Sequence, residues 1–511
     1  RKAVFLPIPG NREISSTACS IFLLEKFICF KSKGLRIFVN MNYTLFLILL
    51  LAYVGVLVLI GKITSRGATN ATFFNANKNA SWLLVSFGMI GASLSGVTFI
   101  SVPGWTAASG MTYLMMVLGF FFGYLLIAYV LLPVYYRYNV ISIYSFLGEK
   151  LGASSYKTGS AFFLLSRIVG ASARLYIVTM VVQLMICDSL HIPFPITAIV
   201  VLALIALYSA AGGIATIVIT DTLQTAFMLI AAALALYFVG SAVVPEQQSI
   251  WDYITKNDMA YVIKSGSAQA WWKQLLGGMS IAVAMTGLDQ DMMQKNLTVA
   301  RLKDSQKNMV LLGVNLLFVN ALFLALGILL TDYAALQGIT ATGDKLFATV
   351  ATSSGMPALL GAVFFLGLLA AAFSSADSAL ASLTTAFCVD FLAMNTKEDS
   401  KRRNKVYVGF MGVLLVVMLL IYSLEADSII SALFTAAGYT YGPLLGLFAF
   451  ALTQKRKIQG WGITGVAIGS PFIAYALSLW APHLGSTIGF ELLLYNGLIT
   501  YFGAWALSQR A

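Results

Sequence analysis

The sequence predicts an all-α polytopic membrane protein of about thirteen transmembrane helices, and three observations predict it. Apolar residues make up 59% of the 511 and charged residues only 10%, where a soluble domain carries roughly 25% charged residues. Apolar runs recur along nearly the whole chain, each long enough to cross roughly 30 Å of hydrocarbon. The basic residues collect in every second link between those runs.

Polar breaks divide the chain into spans near 43–61, 81–108, 112–136, 159–187, 193–210, 215–243, 273–294, 307–331, 356–392, 405–423, 428–452, 461–480 and 488–508. Each is expected to be helical, because lipid cannot satisfy the open edge of a sheet. With the first span entering from outside, nineteen Lys and Arg fall in cytoplasmic links, among them Arg137, Lys295, Lys303, Arg403 and Lys455. The opposite links hold four: Lys256, Lys264, Lys273 and Lys345. That bias orients the bundle with its N-terminus outside and its C-terminus cytoplasmic. Residues 1–40 carry seven basic residues and a Pro-Ile-Pro-Gly turn without a signal-peptide layout. They read as a non-native or disordered leader, with native translation opening at Met41.

The net charge of +12 sits in short links, so it is no nucleic-acid footprint. Cys19, Cys29, Cys187 and Cys388 show neither disulfide nor metal spacing. His191 and His483 lie beside expected helix ends, and nothing resembles a zinc, haem or nucleophile site.

Polar groups at membrane depth mark function by default. The second span carries Gly88, Gly91, Gly96, Pro103 and Gly104 among Ser93, Ser95 and Thr98. This describes either a helix interrupted near its middle or one packed closely through small residues. An interrupted helix frees carbonyls, and carbonyl and hydroxyl oxygens suit a hard cation such as Na⁺. In the ninth span Ala371, Ser374, Ser375 and Ser378 share one helix face, with Asp377 close to it. That stripe must face protein or a cavity, and its carboxylate favours a cation there over mere packing. Asp221, inside the sixth span, either pairs with Arg167 or Arg174 or needs a metal ion or a proton. Arg167 and Arg174 lie too deep in the fourth span to reach the surface. They either neutralise buried carboxylates or hold an anionic solute group.

Three motifs together resemble the sodium:solute symporter family. They are Gly212-Gly213 with Thr220-Asp221-Thr-Leu-Gln224, then Asp289-Gln290-Asp-Met-Met-Gln294-Lys295 followed by Ser305-Gln306-Lys307, then Ala371-x-x-Ser374-Ser375. The resemblance covers 41–511. It implies a symporter transmembrane domain with one leading helix, two inverted five-helix repeats (about 81–243 and 273–452) and two trailing helices. It implies a main sodium site at the backbone carbonyls of Gly91, Leu94 and Ala371 and the hydroxyls of Ser374 and Ser375. A second sodium or proton site falls on Asp221, Asp377 and Ser378, with Asp377 standing where a relative has serine. Positions that recognise neutral sugars in relatives fall here on Val97, Met116 and Val117, and the galactose symporter's aromatic inner gate falls near Met285. A solute-contacting position lands on Gly170, between Arg167 and Arg174, which favours a carboxylated solute such as a sialic-acid-like sugar acid or an organic acid. The expected solute-binding residues are Ser93, Ser95, Thr98, Arg167, Gly170, Arg174, Gln290 and Thr435.

The implied activity is sodium-coupled symport by alternating access, with no covalent chemistry. The expected partners are a sodium ion, a small solute and the lipid bilayer, without nucleic acid. The expected setting is a bacterial inner membrane, and the working unit a monomer. The rival readings are a neutral-sugar symporter, a proton-coupled carrier and a transporter-like sensor.

Overall fold

The computed structural model describes residues 43–94, 96–264, 270–394, 400–423, 429–484, 488–489 and 491–510. Ser95 lies outside the described residues, as do the side chains of Val97 and of 429–435, Thr435 included. Among the described residues each expected span is mostly helix. In chain order these are α1 (Tyr43–Thr64), α2 (Trp82–Ser93), α3 (Gly96–Ser109), α4 (Tyr113–Arg137), α5 (Ala153–Cys187), α6 (Phe194–Ser209) and α7 (Ile214–Val243). They continue with α8 (Trp271–Ala282), α9 (Gln290–Asn296), α10 (Leu302–Leu336), α11 (Ala358–Phe391), α12 (Ser400–Ser423), α13 (Ile429–Thr453), α14 (Gly462–His483) and α15 (Leu492–Leu507).

Among the described residues eight of these (α1, α4, α5, α7, α10, α11, α12 and α14) are long and apolar enough to cross a membrane, and α2 with α3 makes a ninth. Their outward faces carry exposed apolar side chains such as Leu51, Ile230, Phe318, Val416 and Phe472, the surface that lipid covers. Among the described residues the one strand pairing is an antiparallel ribbon, β1 (Arg456–Ile458) with β2 (Ser508–Arg510). It joins the link before α14 to the end of the last expected span.

α11 is the inner helix. In its most apolar eighteen-residue window 72% of residues are buried, against 17% in α12. It packs along α7 and against α5, α2, α3 and α9, so its polar face is sealed inside protein as an apolar bilayer requires.

The span of α2 and α3 is interrupted. Leu94 leaves helical geometry at φ −89°, ψ 68°, and the two halves meet at 55°. The Ile90 carbonyl still accepts the Leu94 N–H at 2.8 Å, and the regular helical pattern stops at Leu94. Close approach to α7 holds the break in place. The Gly91 N–H donates to Thr225 Oγ1 at 3.1 Å, and a Cβ on Gly91 would collide with that hydroxyl. The Gly212-Gly213 motif has a local cause: Gly213 opens α7 at φ +53° and its missing Cβ makes room for the Phe73 ring.

A second close approach joins α4 to α8. Gly119 and Gly278 each face the other helix's backbone, at Leu275 and Met116, with no room for a methyl group. Gly123 would place a Cβ 2.6 Å from that of Ala282.

Candidate ion and solute site

The polar stripe of α11 is buried as a unit: Ala371, Ser374, Ser375, Asp377 and Ser378 are each 2% exposed or less. Helical spacing aims Ser374 at α7, where its hydroxyl donates to Asp221 Oδ1 at 2.6 Å. Ser375 turns back and donates to the Ala371 carbonyl at 3.2 Å, which leaves its oxygen lone pairs unused. Asp377, three residues beyond Ser374, faces α6. Its Oδ2 accepts from the Tyr208 hydroxyl at 2.8 Å, and its Oδ1 from the Ser378 N–H at 2.5 Å. α11 also touches both halves of the broken span: Gly96, just past the break, faces Leu368 and Ala372 of α11, while Gly91, before it, faces Thr225 of α7.

Asp221 pairs with neither Arg167 nor Arg174. Its partner is Lys295, whose Nζ lies 2.7 Å from Asp221 Oδ2, with both side chains 1% exposed. This corrects two expectations, since Lys295 had also been placed in a basic link. The cause is α9, a short helix that turns into the protein with all seven of its residues buried. Asp289 caps it by accepting the Asp291 N–H at 2.8 Å. Gln294 then ties it to the Phe74 carbonyl at 2.7 Å and to Thr385 Oγ1 at 2.9 Å. Asn296 bonds Ser305 at 2.7 Å and Asn308 at 2.8 Å. Sequence reasoning missed Lys295; the available signal was its place at the end of a polar run too short to be a link between spans.

Arg167 and Arg174 divide the two roles left open for them. Arg167, 6% exposed, is clamped by Asp291 and lies 3.8 Å from Asp289, which also accepts the Tyr441 hydroxyl. Two carboxylates thus neutralise one guanidinium. Arg174, two turns along α5 and half-buried, forms no ion pair or hydrogen bond among the described residues, and its Nε is buried and unpartnered. Both arginines border one small cavity with Ser166, Gly170, Met285, Ala436, Ala437 and Tyr441. Its volume is about 20 Å³, on the order of one water. A cavity of that size has no room for a solute.

The other expected solute contacts are scattered. Gln290 is not at this cavity: it accepts from the Ile143 N–H at 2.9 Å and donates to the Ile141 carbonyl at 2.8 Å. Its amide is consumed in tying α9 to the loop before α5. Ser93 lies beside the Tyr124 hydroxyl, and Thr98 is half-buried on α3. Ser95 and the Thr435 side chain lie outside the described residues. Among those residues no group of three His, Cys, Asp or Glu is placed to hold a metal.

The fold has known counterparts. A model of the sodium:solute symporter family matches residues 73–469. The chain is 22% identical to the human sodium/iodide cotransporter over 88% of its own length and 70% of that protein. It is 22% identical to the sodium/sialic acid symporter of Proteus mirabilis over 86% of its length and 90% of that protein. Its fold is similar to the solved outward-open, substrate-bound structure of a Na⁺-coupled sialic acid symporter, with a TM-score of 0.75 and 17% identity. That likeness covers 91% of this chain and 99% of the other. The family match runs from the short helix before α2 into α14 and takes in every residue of the junction and the arginine cavity. This chain belongs to the sodium:solute symporter family, and it is a sodium-coupled solute carrier of the membrane, not an enzyme.

Proposed function

We propose that the chain couples sodium entry to uptake of a small carboxylate-bearing solute, such as a sialic-acid-like sugar acid or a short organic acid. One observation carries this reading. Arg174 is a guanidinium at membrane depth with no acidic partner among the described residues, and it borders the cavity between α5 and α13. A cation left without a counter-ion in such a place is costly, and a solute carboxylate supplies the missing charge with matching two-pronged geometry.

In this reading sodium is held by the carbonyls of Gly91, Leu94 and Ala371 and the hydroxyls of Ser374 and Ser375. Support comes from the break at Leu94 and from the buried serine pair on α11, a helix that touches both halves of the broken span. Sodium there ties α2 to α11 and stabilises the arrangement that admits solute. Its departure on the low-sodium side lets α5 and α13 close again. The membrane potential contributes about 2.3 kcal/mol per charge per 100 mV to this cycle. The finer architecture is thirteen crossings, α2–α7 and α8–α13 forming the inverted repeats, in a bacterial inner membrane with the C-terminus cytoplasmic. The working unit is a monomer.

Proton coupling has one observation in its favour, because Asp377 accepts only from neutral donors among the described residues. The deciding experiment is uptake into proteoliposomes across sialic acid, glucuronate, lactate, galactose and proline, with Na⁺ replaced by choline at fixed pH. Sodium-dependent uptake of an acid is expected. Preference for galactose would overturn the carboxylate reading, and indifference to choline would overturn the sodium reading.

A further inference from the structure

We infer that Asn496, on the last helix α15, is a positioning residue for the solute cavity. Its amide takes up backbone acceptors that Pro443 leaves open in α13, and so fixes the turn that carries Ala437 and Tyr441. The inference rests on the reading above that this cavity receives the solute, and it adds a residue from outside the cavity.

Pro443 sits inside α13. It has no N–H, so the carbonyl four residues earlier, at Tyr439, loses its helical donor, and the proline ring crowds that oxygen. A buried carbonyl left this way needs a donor from elsewhere. Asn496 provides it: Nδ2 donates to the Tyr439 carbonyl at 3.0 Å and to the Gly438 carbonyl at 3.0 Å. With two carbonyls opposite, the group facing α13 must be the NH2. The side chain is buried, and its Oδ1 has no hydrogen-bond partner among the described residues. An apolar side chain of the same shape would fill the space without stranding an acceptor. What asparagine adds is the two donors.

Glycine allows the approach. A Cβ on Gly442 would collide with the Asn496 side chain, and one on Gly446 with the Gly497 carbonyl. α15 also has a footing of its own, because Glu491 at its N-cap lies 3.5 Å from Lys273 near the start of α8.

The braced turn is the one that borders the cavity. Gly438 and Tyr439 lie between Ala437 and Tyr441, which share the cavity with Arg174. The Tyr441 hydroxyl in turn donates to Asp289, which lies beside Arg167. A shift of this turn therefore moves the cavity wall, although Asn496 is not among the lining residues.

Uptake kinetics in proteoliposomes, with whichever acid of the panel is transported, test this through a double-mutant cycle. Asn496→Leu keeps the shape and removes the donors. KM is expected to rise about tenfold, equivalent to about 1.4 kcal/mol, with the maximal rate per folded transporter retained. Pro443→Ala restores the N–H that Tyr439 lacks, so in that background the same substitution is expected to raise KM at least about threefold less. An unchanged KM in folded Asn496→Leu, or an equal rise with and without Pro443, overturns the proposal. Should Asn496→Leu fail to fold, Asn496→Ser takes its place under the same expectations, being too short to reach both carbonyls and too small to press on Gly442. Arg174→Gln, run alongside, reports on the carboxylate reading separately. If it leaves KM unaltered while Asn496 and Pro443 remain coupled, that reading falls and the positioning role stands. If it raises KM and the coupling is absent, the positioning role falls and the carboxylate reading stands.

Discussion

Arg174→Gln separates the two arginines of α5 most sharply. Arg174 makes no ion pair among the described residues, so its loss leaves no protein carboxylate stranded and the variant is expected to fold. What it removes is a charged hydrogen-bonding partner for the solute, an interaction of about 1.5–3 kcal/mol. At about 1.4 kcal/mol per decade, KM for the transported acid rises about 10- to 150-fold. The upper part of that range is favoured, because Asp289 and Asp291 act on Arg174 electrostatically and the cavity becomes more negative without it. Arg174→Lys keeps the charge but loses the planar fork, and is expected to fall between the two proteins. Arg167→Gln behaves differently, because Asp289 and Asp291 would then lie buried without their cation. Removing one partner of such a pair costs about 3–5 kcal/mol of stability. Initial rates of sodium-driven acid uptake give KM, and a fluorescence-detected melting curve in detergent gives stability. An unchanged KM in folded Arg174→Gln, or an affinity loss confined to a fully stable Arg167→Gln, refutes the assignment.

The double change Ser374→Ala with Ser375→Ala is expected to raise the sodium concentration for half-maximal uptake at least about tenfold, the effect of losing about 1.4 kcal/mol of cation binding. An unchanged sodium titration would place the main ion elsewhere. Gln290→Ala removes two hydrogen bonds to the 141–143 backbone and should lower stability by about 2–3 kcal/mol. KM should hold, and a rise in KM alone would return Gln290 to the solute site. Gly278→Val drives a side chain into the Met116 backbone, and an overpacking cost of about 1–3 kcal/mol is expected as a lower melting temperature. Unaltered melting would show that α4 and α8 can part.

Much of this was legible because lipid simplifies the reading. An apolar solvent forces backbone bonds inside each segment, so the positions of the helices follow from hydropathy alone. The same solvent makes Ser374, Ser375, Asp377 and Asp221 conspicuous, since none is stable against lipid. Pairing was not legible. Arg167 could have met any buried carboxylate, and its choice of Asp289 and Asp291 depends on α9 turning inward. The charge pattern misled at Lys295 for a related reason. A lysine near the end of an apolar run looks like a boundary residue unless the chain folds back, and it folds back here because Asp289 caps α9. Gln290 misled in the opposite direction: a polar side chain in a family motif reads as a ligand, yet two backbone groups of a neighbouring loop absorb it. The glycines and serines around Ser93 left an interrupted helix and a closely packed one equally open, and it is Leu94, at φ −89°, ψ 68°, that marks where the helical geometry ends.

The glycine contact between α4 and α8 bears on how such a molecule changes shape. At Gly119 and Gly278 main chain rests on main chain, contacts that no rotamer change can relieve, so the two helices are expected to travel as one beam. Displacement must then be borne where longer side chains meet, along α5 and α13 beside Arg174 and Tyr441. A cysteine bridge clamping α4 to α8 should leave turnover intact, while one fastening α5 to α13 should stop it.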